Sequence, residues 1–489
     1  MSLPTPTKAE IRQALDRLLP AHAILADDEQ LRPYECDGLS AYTELPLLVV
    51  LPETEAQIQE ILAWCARHAV PIVPRGAGTG LSGGAQPLAN GIVLSTARLN
   101  RILKVDPAAA YAVVQPGVRN LAISHAVAQH DLYYAPDPSS QIACTIGGNV
   151  AENAGGVHCL KYGLTLHNVL GLRVILSNGE LLEVGGLTPD APGLDLLPLL
   201  IGSEGMLAIV TEVTLKLTPK PMLAQVIMAS FASVAGACDA VAQLIAAGIL
   251  PAGLELMDKT SVAMVEPFVN AGYDQAAAAI LLCEADGTQA DVALEVARMS
   301  EVLQQAGSTS LVISRNEQER LRFWSGRKNA FPAAGRISPD YYCMDGTIPR
   351  KHLSRVLLAI EQMQVKYGLR CANVFHAGDG NLHPLILFDA NQAGELDRAV
   401  AFGNEILALC VEVGGSITGE HGVGIEKLDA MCAQFNDLEL ACFFAIKNAF
   451  DEAGILNPNK AIPTLTRCAE YGREHVRYGQ RRFADLERY

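Results

Sequence analysis

Two histidines, His376 and His383, bracket the run His376-Ala-Gly-Asp-Gly-Asn-Leu-His383, and the apolar segments NVF before it and LILF after it read as strands. Asp379-Gly380 at its centre is the dipeptide favoured in a two-residue type I′ turn. Such a turn pairs 378 with 381, 377 with 382 and 376 with 383, which stands the two imidazoles opposite one another on one face. Cross-strand Cβ atoms lie about 4.5–5.5 Å apart, close enough for two imidazoles to share a metal at about 2.0–2.1 Å from each nitrogen. Two imidazoles alone hold a metal weakly, so a third ligand is needed. Gly414-Gly-Ser-Ile-Thr-Gly-Glu-His-Gly-Val-Gly424 offers one, because Glu420 and His421 sit on a glycine-flanked backbone that can turn both side chains into one cavity.

A second set of residues suits phosphate. Pro74-Arg-Gly-Ala-Gly-Thr-Gly-Leu-Ser-Gly-Gly84 contains a literal G-x-G-x-x-G at Gly78, Gly80 and Gly83. A Rossmann turn opens a helix and is followed about 20 residues later by an acid; here Pro87, Gly91 and a strand follow, and the next acid is Asp106. No Gly-Lys-Ser/Thr closes the run, so it is not a P-loop either. What remains is an extended nest of five glycines with Thr79 and Ser82, able to aim successive N–H groups at a diphosphate, with Arg75 adding charge. In 136–156, Gly147 with Gly148, Asn149, Asn153, and Gly155 with Gly156 again leave room for a large planar ligand against the backbone.

The elements that must position these groups fall into two textures. From Leu47 to Pro74 the pattern is strand, helix, strand, the helix announced by Thr54 and Gln57 as a capping box and by Ile58, Ile61, Leu62 and Cys65 at helical spacing. Further strands are expected at GIVLS, YAVVQP and LGLRVILSNGELLEV, with a helix near 120–129. After Pro221 long helices alternate with short strands at AQVIMASF, AGLELMD, AAILLCEAD, STSLVIS and YYCMDGTIP, which predicts a mixed or antiparallel sheet covered by helices. The fold class is α+β. The expected divisions are an N-terminal helical segment over 1–40, a cofactor domain over 41–220, a second domain over 221–461 and a basic tail over 462–489. The apolar stretch 226–250, interrupted by Ser230, Ser233, Asp239 and Gln243, reads as an amphipathic helix rather than a membrane span.

Composition narrows the partners. With 489 residues the chain is long enough for two or three domains, and its net charge of −16 repels polyanions, so nucleic acid is excluded as a partner. The 12 cysteines include no C-x-x-C pair, which argues against an iron–sulfur cluster, a zinc ribbon or a disulfide framework and fits a reducing, cytoplasmic setting. The first residues carry no apolar core with a small-residue cleavage site, so no secretory signal is expected.

Together with Ile201-Gly-Ser-Glu-Gly-Met206, the two glycine segments resemble the vanillyl-alcohol-oxidase-type (PCMH-type) FAD-binding domain, in which P-R-G-x-G-T-x-x-x-G, T-x-G-G-x-x-x-x-N-A-x-G and G-S-E-G recur in this order. The resemblance covers about 40–220. It implies FAD between two α+β subdomains, the diphosphate on 76–80 and the isoalloxazine near Pro138, Gly148 and Gly155. On the same basis Arg75, Gly76, Gly78, Thr79, Gly80, Ser82, Thr145, Asn149, Asn153, Glu204 and Gly205 are cofactor-binding residues. Members with covalent flavin often carry a His in the first loop; this chain has Thr79-Gly80-Leu81, so non-covalent FAD is expected.

H-x-G-D-G-N-L-H and G-E-H-G are in turn similar to the FAD-linked oxidase C-terminal domain, whose family includes glycolate oxidase D-subunits, D-lactate dehydrogenases and D-2-hydroxyglutarate dehydrogenases, the first resembling this chain most. The resemblance implies that His376, His383 and Glu420 hold a divalent metal, zinc, with positions left for a substrate hydroxyl and carboxylate. It makes His421 the general base and Arg327, in Phe323-Trp-Ser-Gly-Arg-Lys, the anchor of the carboxylate. D-2-hydroxyglutarate dehydrogenases carry a Lys where this chain has Tyr342-Cys-Met and a polar residue where it has Pro384-Leu385. A small monocarboxylic 2-hydroxy acid, glycolate or D-lactate, is therefore the expected substrate. Companion flavin and iron–sulfur subunits, and at most peripheral contact with the inner membrane through them, are also implied. A non-catalytic flavin or metal subunit stands as the alternative of another class, disfavoured because His421 and Arg327 are both present.

Overall fold

The computed structural model describes residues 6–188, 193–463 and 468. Of the basic tail, only its first two residues and Cys468 fall among them.

The first lobe grows from a parallel β-α-β unit: strand Leu48–Val50, helix Glu55–His68 and strand Ile72–Arg75. Thr54 caps the helix as expected, its hydroxyl accepting from Gln57 N and its N–H donating to Gln57 Oε1, both at 3.2 Å. Ile58, Ile61, Leu62 and Cys65 form the buried helix face. Ile92–Ser95 lies between the two strands and parallel to both, and Ile24–Leu25 adds an antiparallel edge. A second subdomain carries a five-stranded antiparallel sheet in the order Ile102–Asp106, Tyr111–Val114, Ile209–Lys216, Val169–Ile175, Leu181–Gly185.

The second lobe is built on a seven-stranded sheet that is antiparallel throughout. Its order is Ser310–Ile313, Leu223–Phe231, Ala279–Gly287, Gly253–Asp258, Arg370–His376, Pro384–Phe388, Asp340–Cys343. Helices Val234–Ala246, Gln289–Gln305, Leu353–Tyr367 and Glu395–Glu412 cover one face. Lys259–Val269, Glu317–Lys328 and Ala330–Ala334 cover the other. With helices on both sides, the central strands need apolar residues at every position, which explains runs such as AILLC.

Two expectations are corrected. The stretch 226–250 is not one helix: its first part belongs to strand Leu223–Phe231, and the helix is Val234–Ala246, started by Ser233 accepting from Gly236 N at 3.1 Å. The strand fits because a neighbour buries each of its faces, so it shows no alternation. Second, Cys432 and Cys468 form a disulfide across 36 positions. Irregular spacing hid it, since pairing depends on where the chain returns in space.

The chain also returns to the first lobe after the second is complete. Ile72 N donates to Ile455 O at 2.8 Å and Asn457 N to Ile72 O at 2.7 Å, placing Leu456 beside Ile72 in parallel. Asn457 Nδ2 then donates to Gly84 O at 2.9 Å and Glu204 O at 2.7 Å, and Lys460 Nζ to Gln86 O at 2.7 Å.

Candidate active site

The histidine hairpin forms with a different register from the expected one. Arg370 pairs with Leu387, Cys371 with Ile386, Ala372 with Leu385, Asn373 with Pro384, and the ladder ends at the bridge of His376 with Asn381. The loop is thus the four residues 377–380, and His376 faces Asn381 instead of His383. A type I′ turn needs positive φ at both central residues, whereas only Gly380 has it, at +83°. Asp379 accepts from Asn381 N at 3.1 Å instead. A slip of two positions keeps every side chain on its own face. His383 therefore still meets His376, diagonally, with ring centroids 5.0 Å apart.

Glu420 joins them from the loop after helix Glu395–Glu412. Its Oε1 lies 3.1 Å from His376 Nε2 and 3.2 Å from His383 Nε2. One ligand atom from each of the three lies within 4.8 Å of the others, and Asp345, His383 and His421 form a second such group. Both ring nitrogens of buried His383 lack a hydrogen-bond partner, although Nε2 is near two carboxylates, Glu420 and Asp345 at 3.4 Å. His376 Nε2 is in hydrogen-bond contact with Glu420, but the His383 nitrogens are not, and nitrogen and oxygen donors converging in this way fit a divalent cation.

Two acids missed in the sequence organise this cluster. Glu255, in the fully buried strand Gly253–Asp258, accepts from His376 Nδ1 at 2.6 Å and from Arg327 Nε at 2.5 Å. With Nδ1 turned to the Glu255 carboxylate, Nε2 is the nitrogen directed at the cluster, 3.1 Å from Glu420 Oε1. Asp345 gathers the loop, accepting from the backbone N–H of Gly419 at 3.0 Å and His421 at 2.9 Å, from Thr418 Oγ1 at 2.6 Å and from Lys427 Nζ at 3.1 Å. Burial works against its charge, but Lys427 and His421 hold its carboxyl well below the usual range. Each acid lies in a largely apolar segment, LELMD and YYCMDG, but LELMD also holds Asp258, so the sequence does not single out the acid that meets the cluster.

His421 stacks on His383, with centroids 4.8 Å apart and planes 7° from parallel. Burial pushes its imidazole down to about 4, Asp345 opposing and His383 adding to the shift. The ring is neutral near pH 7, and its Nδ1 has no partner.

A cleft of about 400 Å³ runs from this cluster between the lobes. Arg75, Gly76, Gly78, Thr79 and Gly80 line one wall; Pro138, Thr145, Gly148 and Asn149 the next; Glu204 and Gly205 a third; His383, Glu420 and His421 close the end. Arg75 lines the cleft, yet its guanidinium donates to Cys36 O at 2.7 Å and lies over the Tyr34 ring. Ser82, Asn153, Gly155, His376 and Arg327 stand outside the lining. Ser82 accepts through its carbonyl from Ile425 and Glu426 N–H, and Asn153 accepts from Leu166 N at 2.9 Å. Gly155 is required by close approach, because a Cβ there would strike Glu420 Oε2. Arg327 is 1% exposed, and its Nη2 is buried without a partner, while the neighbouring Lys328 reaches the cleft.

The lobes are tied beside the cleft by His158, whose Nδ1 meets Asp137 at 2.8 Å and whose Nε2 meets Glu284 at 3.1 Å. Glu284 also accepts from Arg320 at 2.8 Å and Trp324 Nε1 at 2.5 Å. Burial alone would lower His158, but Asp137 and Glu284 raise it to about 10.

Comparison with known proteins agrees with this architecture. Residues 46–185 match the family described as FAD binding domain, and 220–461 match FAD linked oxidases, C-terminal domain. The chain is 59% identical over its whole length to glycolate oxidase subunit GlcD of Escherichia coli K12, covering 98% of that protein. It is 30% identical to D-lactate dehydrogenase of Anaerostipes hadrus, over 89% of this chain and 94% of that one. Among solved structures it is similar to p-cresol methylhydroxylase with substrate bound, with a TM-score of 0.80, 20% identity, and 94% and 97% of the two chains covered. No described helix is long and apolar enough to cross a membrane.

Proposed function

The chain belongs to the FAD-linked oxidase family, and on that footing we propose that it oxidises glycolate to glyoxylate as one subunit of a larger oxidase. Full-length 59% identity to a glycolate oxidase subunit carries the reading. Bound FAD supplies the two-electron acceptor, and a divalent cation, zinc, supplies positive charge for the substrate hydroxyl and carboxylate. His376, His383 and Glu420 hold the cation, supported by the unpartnered His383 nitrogens and by the carboxylate on His376 Nδ1. The FAD is non-covalent, cradled by 75–80, 138–149 and Glu204-Gly205. His421 takes the hydroxyl proton, for which its neutral, cleft-facing ring is suited. Arg327 anchors the substrate carboxylate through the Nη2 that Glu255 leaves free.

Oxidation of D-lactate to pyruvate is the second reading, favoured by the D-lactate dehydrogenase relative. Companion flavin and iron–sulfur subunits take the electrons onward, in the cytoplasm or at the inner membrane through those subunits. Anaerobic mixing of the holoprotein with glycolate, D-lactate and D-2-hydroxyglutarate, following bleaching of the flavin bands, decides among these. Glycolate is expected to bleach fastest. D-lactate fastest selects the second reading, D-2-hydroxyglutarate fastest overturns both, and no bleaching by any acid assigns the chain to the non-catalytic class.

A further inference from the structure

Glu152 is the last residue of helix Ile146–Glu152, and its side chain turns into the cleft between two glycine turns. Its Oε1 lies 2.7 Å from where a Cβ on Gly84 would stand, and a methyl on Gly422 would strike its Oε2. Neither turn offers it a side-chain partner, and Oε2 is buried with no hydrogen bond at all. A second buried carboxyl borders the same two points, Glu204 Oε2 being 3.5 Å from the Gly84 position and Oε1 2.9 Å from the Gly422 position. Glu204 is satisfied, accepting from Val423 N at 2.6 Å and Gly424 N at 2.7 Å.

Two carboxyls this close do not both ionise in a buried site. The backbone N–H donors choose the anion: they stabilise charge on Glu204, leaving the proton with Glu152. Asp37 and Asp345 face the pair and add to the repulsion, while Lys427 and Lys460 oppose it. Both cations direct their donors elsewhere, Lys427 to Asp345 at 3.1 Å and Gly422 O at 2.8 Å, Lys460 to Gln86 O and Asn457 Oδ1, each at 2.7 Å. Burial first, then Glu204, pushes the Glu152 carboxyl well above its ordinary value.

We propose that Glu152 serves as a carboxylic acid, donating a hydrogen bond from its buried carboxyl to an acceptor oxygen of the FAD in the cleft. The inference rests on FAD occupying that cleft. A carboxylate at this position would repel the dinucleotide, whereas the acid supplies a donor that nothing in the protein uses. Glu152 is then a flavin-binding residue whose contribution disappears when it ionises.

FAD affinity of the deflavinated full chain, read by quenching of flavin fluorescence at pH 6 and pH 9, tests this with wild type, Glu152→Gln and Glu152→Ala. The amide keeps a donor and cannot ionise, so Glu152→Gln is expected to match wild type at pH 6 and to bind more tightly than it at pH 9. Glu152→Ala is expected to bind about tenfold to a hundredfold more weakly at pH 6. Far-UV circular dichroism confirms that each variant is folded. The same pH dependence in wild type and Glu152→Gln, or wild-type affinity in Glu152→Ala, overturns the proposal while leaving FAD binding intact. Failure of the wild type to take up FAD at either pH overturns the flavin reading itself.

Discussion

Replacing Glu255 by Gln keeps the shape of a wholly buried side chain and removes the charge shared by Arg327 and His376. Arg327 is then left buried without a counter-ion, a loss that costs about 3–5 kcal/mol for a buried pair. Coulomb's law gives a similar size, about 4 kcal/mol for unit charges about 4 Å apart at an effective dielectric of about 20. For a domain of about 200 residues that is a fall in Tm on the order of 10 °C. His376 simultaneously exchanges the carboxylate that fixes its ring for at best one neutral amide oxygen, which lowers metal affinity by about 10- to 100-fold. Differential scanning fluorimetry reads the first effect and competition with a chelating indicator dye the second. The double variant Glu255→Gln with Arg327→Leu separates them: deleting the orphaned charge restores most of the Tm while the metal affinity stays low. Wild-type metal affinity in Glu255→Gln would show that Glu255 does not orient His376, and a double variant no more stable than the single one would refute the charge argument.

Glu420→Gln is expected to lose at least about tenfold in metal affinity with unchanged flavin absorbance, checked by elemental analysis beside the visible spectrum; equal metal content would remove Glu420 from the ligand set. The His158 bridge predicts a pH dependence. With a folded value of about 10 against an ordinary 6.5, its contribution is complete below about 6.5 and lost as pH rises toward about 10. Glu284, held at about 2 by His158 and Arg320 against burial, contributes above its ordinary 4.5 and loses this as pH falls. Tm should therefore decline between pH 6.5 and 10 more steeply in wild type than in His158→Asn, and parallel profiles would contradict the bridge.

Local signals carried far in this chain. The capping box at Thr54 and Gln57 located helix Glu55–His68 and its buried face, since those interactions lie within one turn. Apolar runs located most strands, AQVIMASF among them, but 226–231 was also taken into one amphipathic helix over 226–250, because a strand covered on both sides has no alternation to settle its type. At the hairpin the Asp-Gly preference gave the wrong register, yet parity kept His376 and His383 on one face, so the proposed ligand pair came together despite the error. Glu255 and Asp345 were out of reach: each acts on residues 121 and 73–82 positions away, and no local rule says which acid in an apolar strand meets them. The Cys432–Cys468 pairing and the return of 455–460 were hidden for the same reason.

That return has a consequence for how the chain is made. The nest after strand Ile72–Arg75 is pinned at Gly84 and Gln86 by Asn457 and Lys460, the latter pair 374 positions apart. A ribosome adding about 5–20 residues per second exposes the nest tens of seconds before its clasp exists. During that interval Ile72 lacks its neighbour and the cradle is unfastened, so a nascent first lobe is an incomplete vessel for flavin and a ready client for chaperones. A fragment cut after the first lobe would carry the glycine motifs without the contacts that Asn457 and Lys460 make to Gly84 and Gln86.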